Sequence, residues 1–226
     1  MNRLLVIDTS TEACSVALAI GGDVIEITEI IPRQHTHRIM PMITQVLAQA
    51  DISIKQLDAI AFGRGPGAFT GLRIAAGVVQ GLAFGANLPV IPISTLTALA
   101  QGAWREFKTD YVLSAIDARM SEVYWACYQQ QDGLMQLISN EQISPPPLVT
   151  VDTALADTQW LGVGSGCEYQ AQFQLKMVES YLDRYPRALD MLILAQDLFA
   201  RGCVVSAQEA IPVYLRDNVA QKPRLN

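Results

Sequence analysis

Histidine is nearly missing from this chain, with only His35 and His37 in 226 residues. Their i,i+2 spacing points them to different faces of a helix, so they cannot form a paired imidazole site there. No His-Glu-x-x-His occurs, which removes the zinc-peptidase pattern. A serine or cysteine triad would need one of these two histidines, and neither has a nucleophile motif around it. Gly-x-Ser-x-Gly is absent too, because Ser165 is flanked directly by glycines. Cysteine is sparse: Cys14, Cys127, Cys167 and Cys203 lie far apart with no Cys-x-x-Cys pair, as expected of reduced core thiols in a cytoplasmic protein.

Charge is scarce as well, at 17% of residues, and the balance is −6. Such a chain does not grip a nucleic-acid backbone by itself, since phosphate binding needs clustered Lys and Arg. Lys222 and Arg224 in the tail are the exceptions, able to touch RNA once a partner has positioned it. Long apolar runs are lacking. The run in "MNRLLVID" ends at Asp8, too short for a signal peptide. Residues 78–93 come nearest to a membrane span, and Gln80, Asn87, Pro89 and Pro92 interrupt them. What remains is half hydrophobic, enough for a full buried core.

The opening is duplicated. "LLVIDTSTEACSVALAI" (4–20) and "VLSAIDARMSEVYWACY" (112–128) each run apolar to Ile-Asp, turn, and run apolar again. Each then reaches a turn (Gly21-Gly22, Asp132-Gly133) and a third strand-like run. Aligning Asp8 with Asp117 also aligns Ala17 with Ala126, so both halves begin with the same antiparallel meander. After the first meander, "THRIMPMITQVLAQA" predicts a helix with Thr36 as N-cap and Pro41 in its first turns. "LDAIAFG" reads as a strand, "TGLRIAAGVVQGLAFGA" as a helix, "PVIPIS" as a strand, and "STLTALAQGAWREF" as a helix capped by Ser94 or Thr95. The first half is thus βββαβαβα. The second repeats the meander, then shows a proline-rich loop at 145–147 and a strand around 160–163. Helices over 169–184 and 188–201 and an extended end, "IPVYLRDN", follow. The expectation is an α/β protein of two related halves with mixed sheets, 1–105 and a reduced 106–226, with helix 188–201 free to pack back on the first half.

"GRGPGAFTGLR" (63–73) has the look of a phosphate loop, yet it lacks the lysine and hydroxyl of Gly-x4-Gly-Lys-Ser/Thr. Gly-x-Gly-x-x-Gly fails from either starting glycine. A tight turn feeding a helix is the better reading. The helix that follows carries Gly77, Gly81 and Gly85 four residues apart, one smooth stripe. Each glycine costs roughly 1 kcal/mol of helix propensity against alanine. Close approach by another helix would offset this; packing on the chain's own sheet is the alternative. From Gly71 to Ala86 the only charge is Arg73, which favours burial on more than one side. The amphipathic helix 37–50 is the natural neighbour, with Met40 and Met42 as adaptable contacts. Two such helices from each of two chains would make a four-helix contact.

Four segments, "IDTSTEACSVAL", "GRGPGAFTGLRIAAGVVQGLAFG", "AIDARMSEVYWA" and "PVYLRDN", together resemble the bacterial TsaB (YeaZ) family of tRNA threonylcarbamoyladenosine biosynthesis proteins. The likeness runs from residue 1 to about 220. It implies an actin- and Hsp70-like (RNase H-like) fold and a non-catalytic role, without cofactor. The implied partners are a metal-bearing paralogue, TsaD, which transfers threonylcarbamoyl to adenosine 37 of tRNAs reading codons that begin with A, and a small ATPase, TsaE. It also implies self-association and TsaD binding through the first half, with tRNA met only through the complex and no membrane. On that basis the interface residues are Ile39, Met40, Met42, Ile43, Val46, Phe69, Leu72, Arg73, Gly77, Val78, Gly81 and Gly85. Actin-like enzymes cradle phosphates in the hairpins after two leading aspartates. Here those hairpins, Asp8-Thr9-Ser10-Thr11 and Asp117-Ala118-Arg119-Met120, contain no glycine. Asp8, Ser10, Asp117 and Arg119 are therefore vestigial nucleotide-site positions, the aspartates reading as turn caps rather than magnesium anchors. Gly162 and Gly164 in "GVGSG" are either the remains of an adenosine loop or a flexible turn. An actin-like ATPase or small-molecule kinase is the competing function.

Overall fold

The computed structural model describes residues 2–216. Lys222, Arg224 and the last two residues of the extended end lie outside them. The first half contains β1 (Leu4–Asp8), β2 (Ala13–Ile20), β3 (Asp23–Ile30), α1 (His35–Gln49), β4 (Ala59–Gly65), α2 (Phe69–Ala86), β5 (Val90–Ser94) and α3 (Thr95–Phe107). This is the βββαβαβα order expected. The second half contains β6 (Tyr111–Arg119), β7 (Glu122–Gln131), β8 (Leu134–Leu137), β9 (Gln142–Ser144), β10 (Trp160–Val163), β11 (Met177–Tyr181) and α4 (Ala188–Ala200).

The two sheets have one plan. The first is ordered β3-β2-β1-β4-β5 and the second β8-β7-β6-β10-β11, with β9 added beside β7. In each, an antiparallel meander is followed by two parallel strands. The second sheet is therefore not reduced. Its losses are helical: between β8 and β10, and between β10 and β11, only short 3-10 turns and loops connect the strands. The helix expected over 169–184 is one of these losses, replaced by a 3-10 segment at Ser165–Gln172 and by β11. Its apolar residues serve two cores. Tyr169, Phe173 and Leu175 pack on one face of the sheet and Tyr181 on the other, which a single helix stripe could not do.

Alternation along β1 sets the layers. Leu5 and Ile7 face α1 and α2, while Leu4 and Val6 face α4. Small residues line the second of these faces, Ala17, Ala19, Ala59 and Ala61 among them, and Met191, Leu192 and Ala195 of α4 fill the space above. The late helix thus packs on the first sheet. α3 lies between the sheets, with Leu96, Leu99 and Ala103 built into the second half's core. Ser94 caps α3, its hydroxyl accepting from Thr97 N. α1 begins two residues earlier than expected, after Gln34 rather than Thr36, and without a side-chain cap. His35, at its start, is buried with Nε2 3.2 Å from the Ala13 carbonyl.

By length and composition α2 could cross a membrane, yet Ala75, Ala76, Val79 and Ala83 are built into the first core and Leu72 is buried as well. After α4 the chain returns once more. Val205 pairs with Val90, Val213 N donates to the Arg64 carbonyl, and Arg216 donates to the Ala118 carbonyl of the second half.

Candidate functional site

The hairpin after β1 and the glycine-rich segment after β4 form one unit. Asp8 Oδ1 accepts from Ser10 N at 3.1 Å and from Ser10 Oγ at 2.9 Å. The turn so fixed meets the start of α2: Ala68 N donates to the Ser10 carbonyl at 2.8 Å, and Thr9 Oγ donates to the Gly71 carbonyl at 2.7 Å. The glycines make this approach possible. A Cβ at Gly67 would stand 2.4 Å from the Ser10 carbonyl oxygen, and one at Gly71 1.9 Å from that of Thr9. The glycine segment is thus packed on the hairpin backbone and does not open as a phosphate loop of its own. Asp8 is completely buried, and among the described residues its Oδ2 has no partner. Burial pushes its carboxyl up to about 7, against the lowering effect of the two Ser10 bonds.

The second hairpin repeats the turn. Asp117 Oδ1 accepts from Arg119 N at 2.9 Å, so both leading aspartates cap their turns. Arg119 pairs back on Asp117 at 2.9 Å. "GVGSG" packs on β6 and β11: a Cβ at Gly164, where φ is +99°, would lie 2.4 Å from the Ala115 carbonyl oxygen of β6, and one at Gly162 2.3 Å from Met177 Sδ of β11. Ser165 Oγ accepts from Asp117 N at 3.1 Å. A cleft of about 450 Å3 remains between the hairpins, bordered by Ser10, Glu12, Asp117 and Glu168, with Tyr214 and Arg216 at its edge. Among the described residues no cluster of His, Cys, Asp or Glu is placed to hold a metal ion.

The structure divides the expected interface residues. Leu72 of α2 is buried, and Ile39, Met42, Ile43 and Val46 of α1 are buried in the first core and offer no surface. The reason is the position of α1, whose apolar stripe faces β2 rather than outward. Val78 is half-buried beside the same core. Met40, Phe69, Arg73, Gly77, Gly81 and Gly85 are exposed. A Cβ at any of the three stripe glycines would meet nothing within 4 Å, so the stripe does not pack on the chain's own sheet. Two residues beside these exposed positions were not foreseen. Phe84, 72% exposed, stands beside the stripe, three residues from Gly81, and that spacing was readable. Tyr214 lies against Phe69 with ring centroids 5.4 Å apart and accepts from Arg73 Nε at 3.2 Å. No local pattern could have placed it there.

Two sheets of one strand order, a shared helical layer and a cleft between paired aspartate hairpins define a protein of the actin- and Hsp70-like class. The family model described as "TsaD: tRNA N6-adenosine threonylcarbamoyltransferase" matches residues 24–224. The chain belongs to the TsaB (YeaZ) family within that class. It is 46% identical to the tRNA threonylcarbamoyladenosine biosynthesis protein TsaB of Escherichia coli (strain K12), over 97% of each chain. It is 44% identical to that of Haemophilus influenzae, over 97% of this chain and 95% of the relative. The solved structure of YeaZ from Pseudomonas aeruginosa, 49% identical, superposes with a TM-score of 0.92 over 95% of this chain and 100% of that one.

Proposed function

We propose that the protein is a non-catalytic scaffold of the assembly that installs threonylcarbamoyl on adenosine 37 of tRNA. Its outer α2 face would dock the TsaD-like catalytic paralogue, with a TsaE-like ATPase joining that pair in the cytoplasm. In isolation the same face would pair two copies of the chain. tRNA would be met only through the complex, as a chain of charge −6 implies.

The observation that carries this reading is the filling of the glycine segment by the Asp8–Ser10 turn, beside an α2 face with Arg73 as its only charge. The first closes the glycine segment as a phosphate loop, and the second leaves an apolar surface whose stripe glycines no described residue covers. The test is reconstitution. Modification of tRNA by the paralogue, the ATPase and the threonylcarbamoyl-adenylate donor should require this chain. The chain alone should turn over no ATP. Steady-state ATP hydrolysis that disappears on Asp8→Asn would overturn the reading in favour of an actin-like ATPase.

A further inference from the structure

We propose that Asp8 is a positioning residue for the partner-binding helix, acting through the Thr9–Ser10 turn. The inference rests on the reading that the outer face of α2 receives the catalytic paralogue.

Asp8 has no surface of its own, being fully buried at the end of β1. Its influence is carried by bonds. One oxygen, Oδ1, accepts both the backbone N–H and the hydroxyl of Ser10. This pair of hydrogen bonds from one residue fixes the direction of the Ser10 carbonyl, which accepts from Ala68 N, and sets the Thr9 hydroxyl onto the Gly71 carbonyl. Ala68 is the N-cap of α2 and has no side chain with which to cap it. The first turn of α2 is therefore held from outside by the hairpin. Phe69 and Arg73 follow on the exposed side, stacked with the guanidinium 3.8 Å from the ring centroid, and lead directly into the glycine stripe. A shift of the hairpin would move this end of the docking face.

The other Asp8 oxygen explains why the residue at 8 must be short and flat. Oδ2 lies against Gly63 of β4, where any side chain would collide with it, with Met191 of α4 close by. The buried Cys14 thiol of β2 also lies near, and the Asp8 charge helps push that thiol up to about 12. Among the described residues no lysine, arginine or histidine contributes to the Asp8 carboxyl. Asparagine at 8 would keep the acceptor that Ser10 uses. Alanine would remove it.

The experiment compares Asp8→Ala, Asp8→Asn, Thr9→Val and Gly81→Leu in the full chain. The measurements are affinity for the catalytic paralogue and amide exchange across residues 69–75. Asp8→Ala should weaken binding about tenfold, a change of ~1.4 kcal/mol, and speed exchange in the first turn of α2. Asp8→Asn should rescue most of that loss. Thr9→Val, which deletes only the bond to Gly71, should weaken binding about threefold and carries the test if Asp8→Ala does not fold. Wild-type affinity in Asp8→Ala and Thr9→Val, with binding lost in Gly81→Leu, would overturn the positioning role and leave the partner face standing. Asp8→Asn as weak as Asp8→Ala would also overturn it, because charge and not the acceptor would then matter. Wild-type affinity in Gly81→Leu would remove the partner face itself, and the proposal with it.

Discussion

Gly63 is fitted to Asp8: a Cβ at position 63 would stand 1.9 Å from the Asp8 Oδ2 atom. The two residues occupy adjacent strands, β4 and β1, whose register pairs Ile7 with Phe62 one step earlier. Gly63→Ala should therefore destabilise the fold by about 1–3 kcal/mol, as overpacking does. The second-site change Asp8→Ala should recover part of the loss by vacating the same space. Urea unfolding of the two single variants and the double would show this coupling. Strict additivity would refute it.

Glycines on the two sides of α2 should respond oppositely. Gly71→Ala drives a methyl into the Thr9 carbonyl oxygen, a backbone atom, and should cost about 3 kcal/mol at the upper end of overpacking. Gly81→Ala meets open space and should stabilise the monomer by roughly 1 kcal/mol through helix propensity. Thermal unfolding of a dilute sample separates the two.

Gly81→Leu should give a well-folded chain that neither self-associates nor supports tRNA modification. The Cβ position is open among the described residues, and a leucine there would obstruct an approaching helix. Sedimentation and a pull-down with the catalytic paralogue read the two effects. An unfolded variant would be incompatible with the exposed stripe.

Asp8 predicts a pH dependence with a definite sign. Its carboxyl is held at about 7 in the fold against 3.8 as its ordinary value, so the folded chain keeps a proton that the unfolded chain releases. The stability tied to that proton is complete below about 3.8 and is lost as pH rises through about 7. Asp8→Asn has no such dependence. Between about pH 5 and pH 8 its stability relative to wild type should improve by about 2–3 kcal/mol, two units at roughly 1.4 kcal/mol each. Urea midpoints across this range test it, and parallel curves would rule it out.

Arg105 and Asp190 tie α3 to α4 with Nε 2.6 Å from Oδ1. Burial pushes the Asp190 carboxyl up and Arg105 pulls it back. Arg105→Met would leave that carboxylate buried without its partner, at a cost of about 1–3 kcal/mol. A melting temperature unchanged from wild type would show that the pair contributes nothing.

Local patterns carried the strands and helices of the first half, because period-2 and period-3.6 signals there coincide with burial. The duplication was legible in the two Ile-Asp hairpins. What local pattern missed was set across distance. β11 forms because β10 offers it an edge, and the helix read over 169–184 gave way to that pairing. α1 carries a clear apolar stripe, but the sequence does not say that Met42 and Ile43 spend it on their own sheet. The purpose of Gly63, Gly67 and Gly71 was equally hidden. Their neighbours are Asp8, Ser10 and Thr9, more than fifty residues earlier in the chain.

The return of α4 to the first sheet bears on how the chain is made. The alanine-lined side of β1, β2 and β4 finds most of its described cover in residues 188–200. On the ribosome, at about 5–20 residues per second, the opening meander would wait some ten seconds or more for that helix to be synthesised. Leu4, Val6 and Ile91 would meanwhile face water or a chaperone. A fragment ending near residue 105 would stay in that condition indefinitely, and its natural remedy is helix 188–201 supplied as a separate peptide.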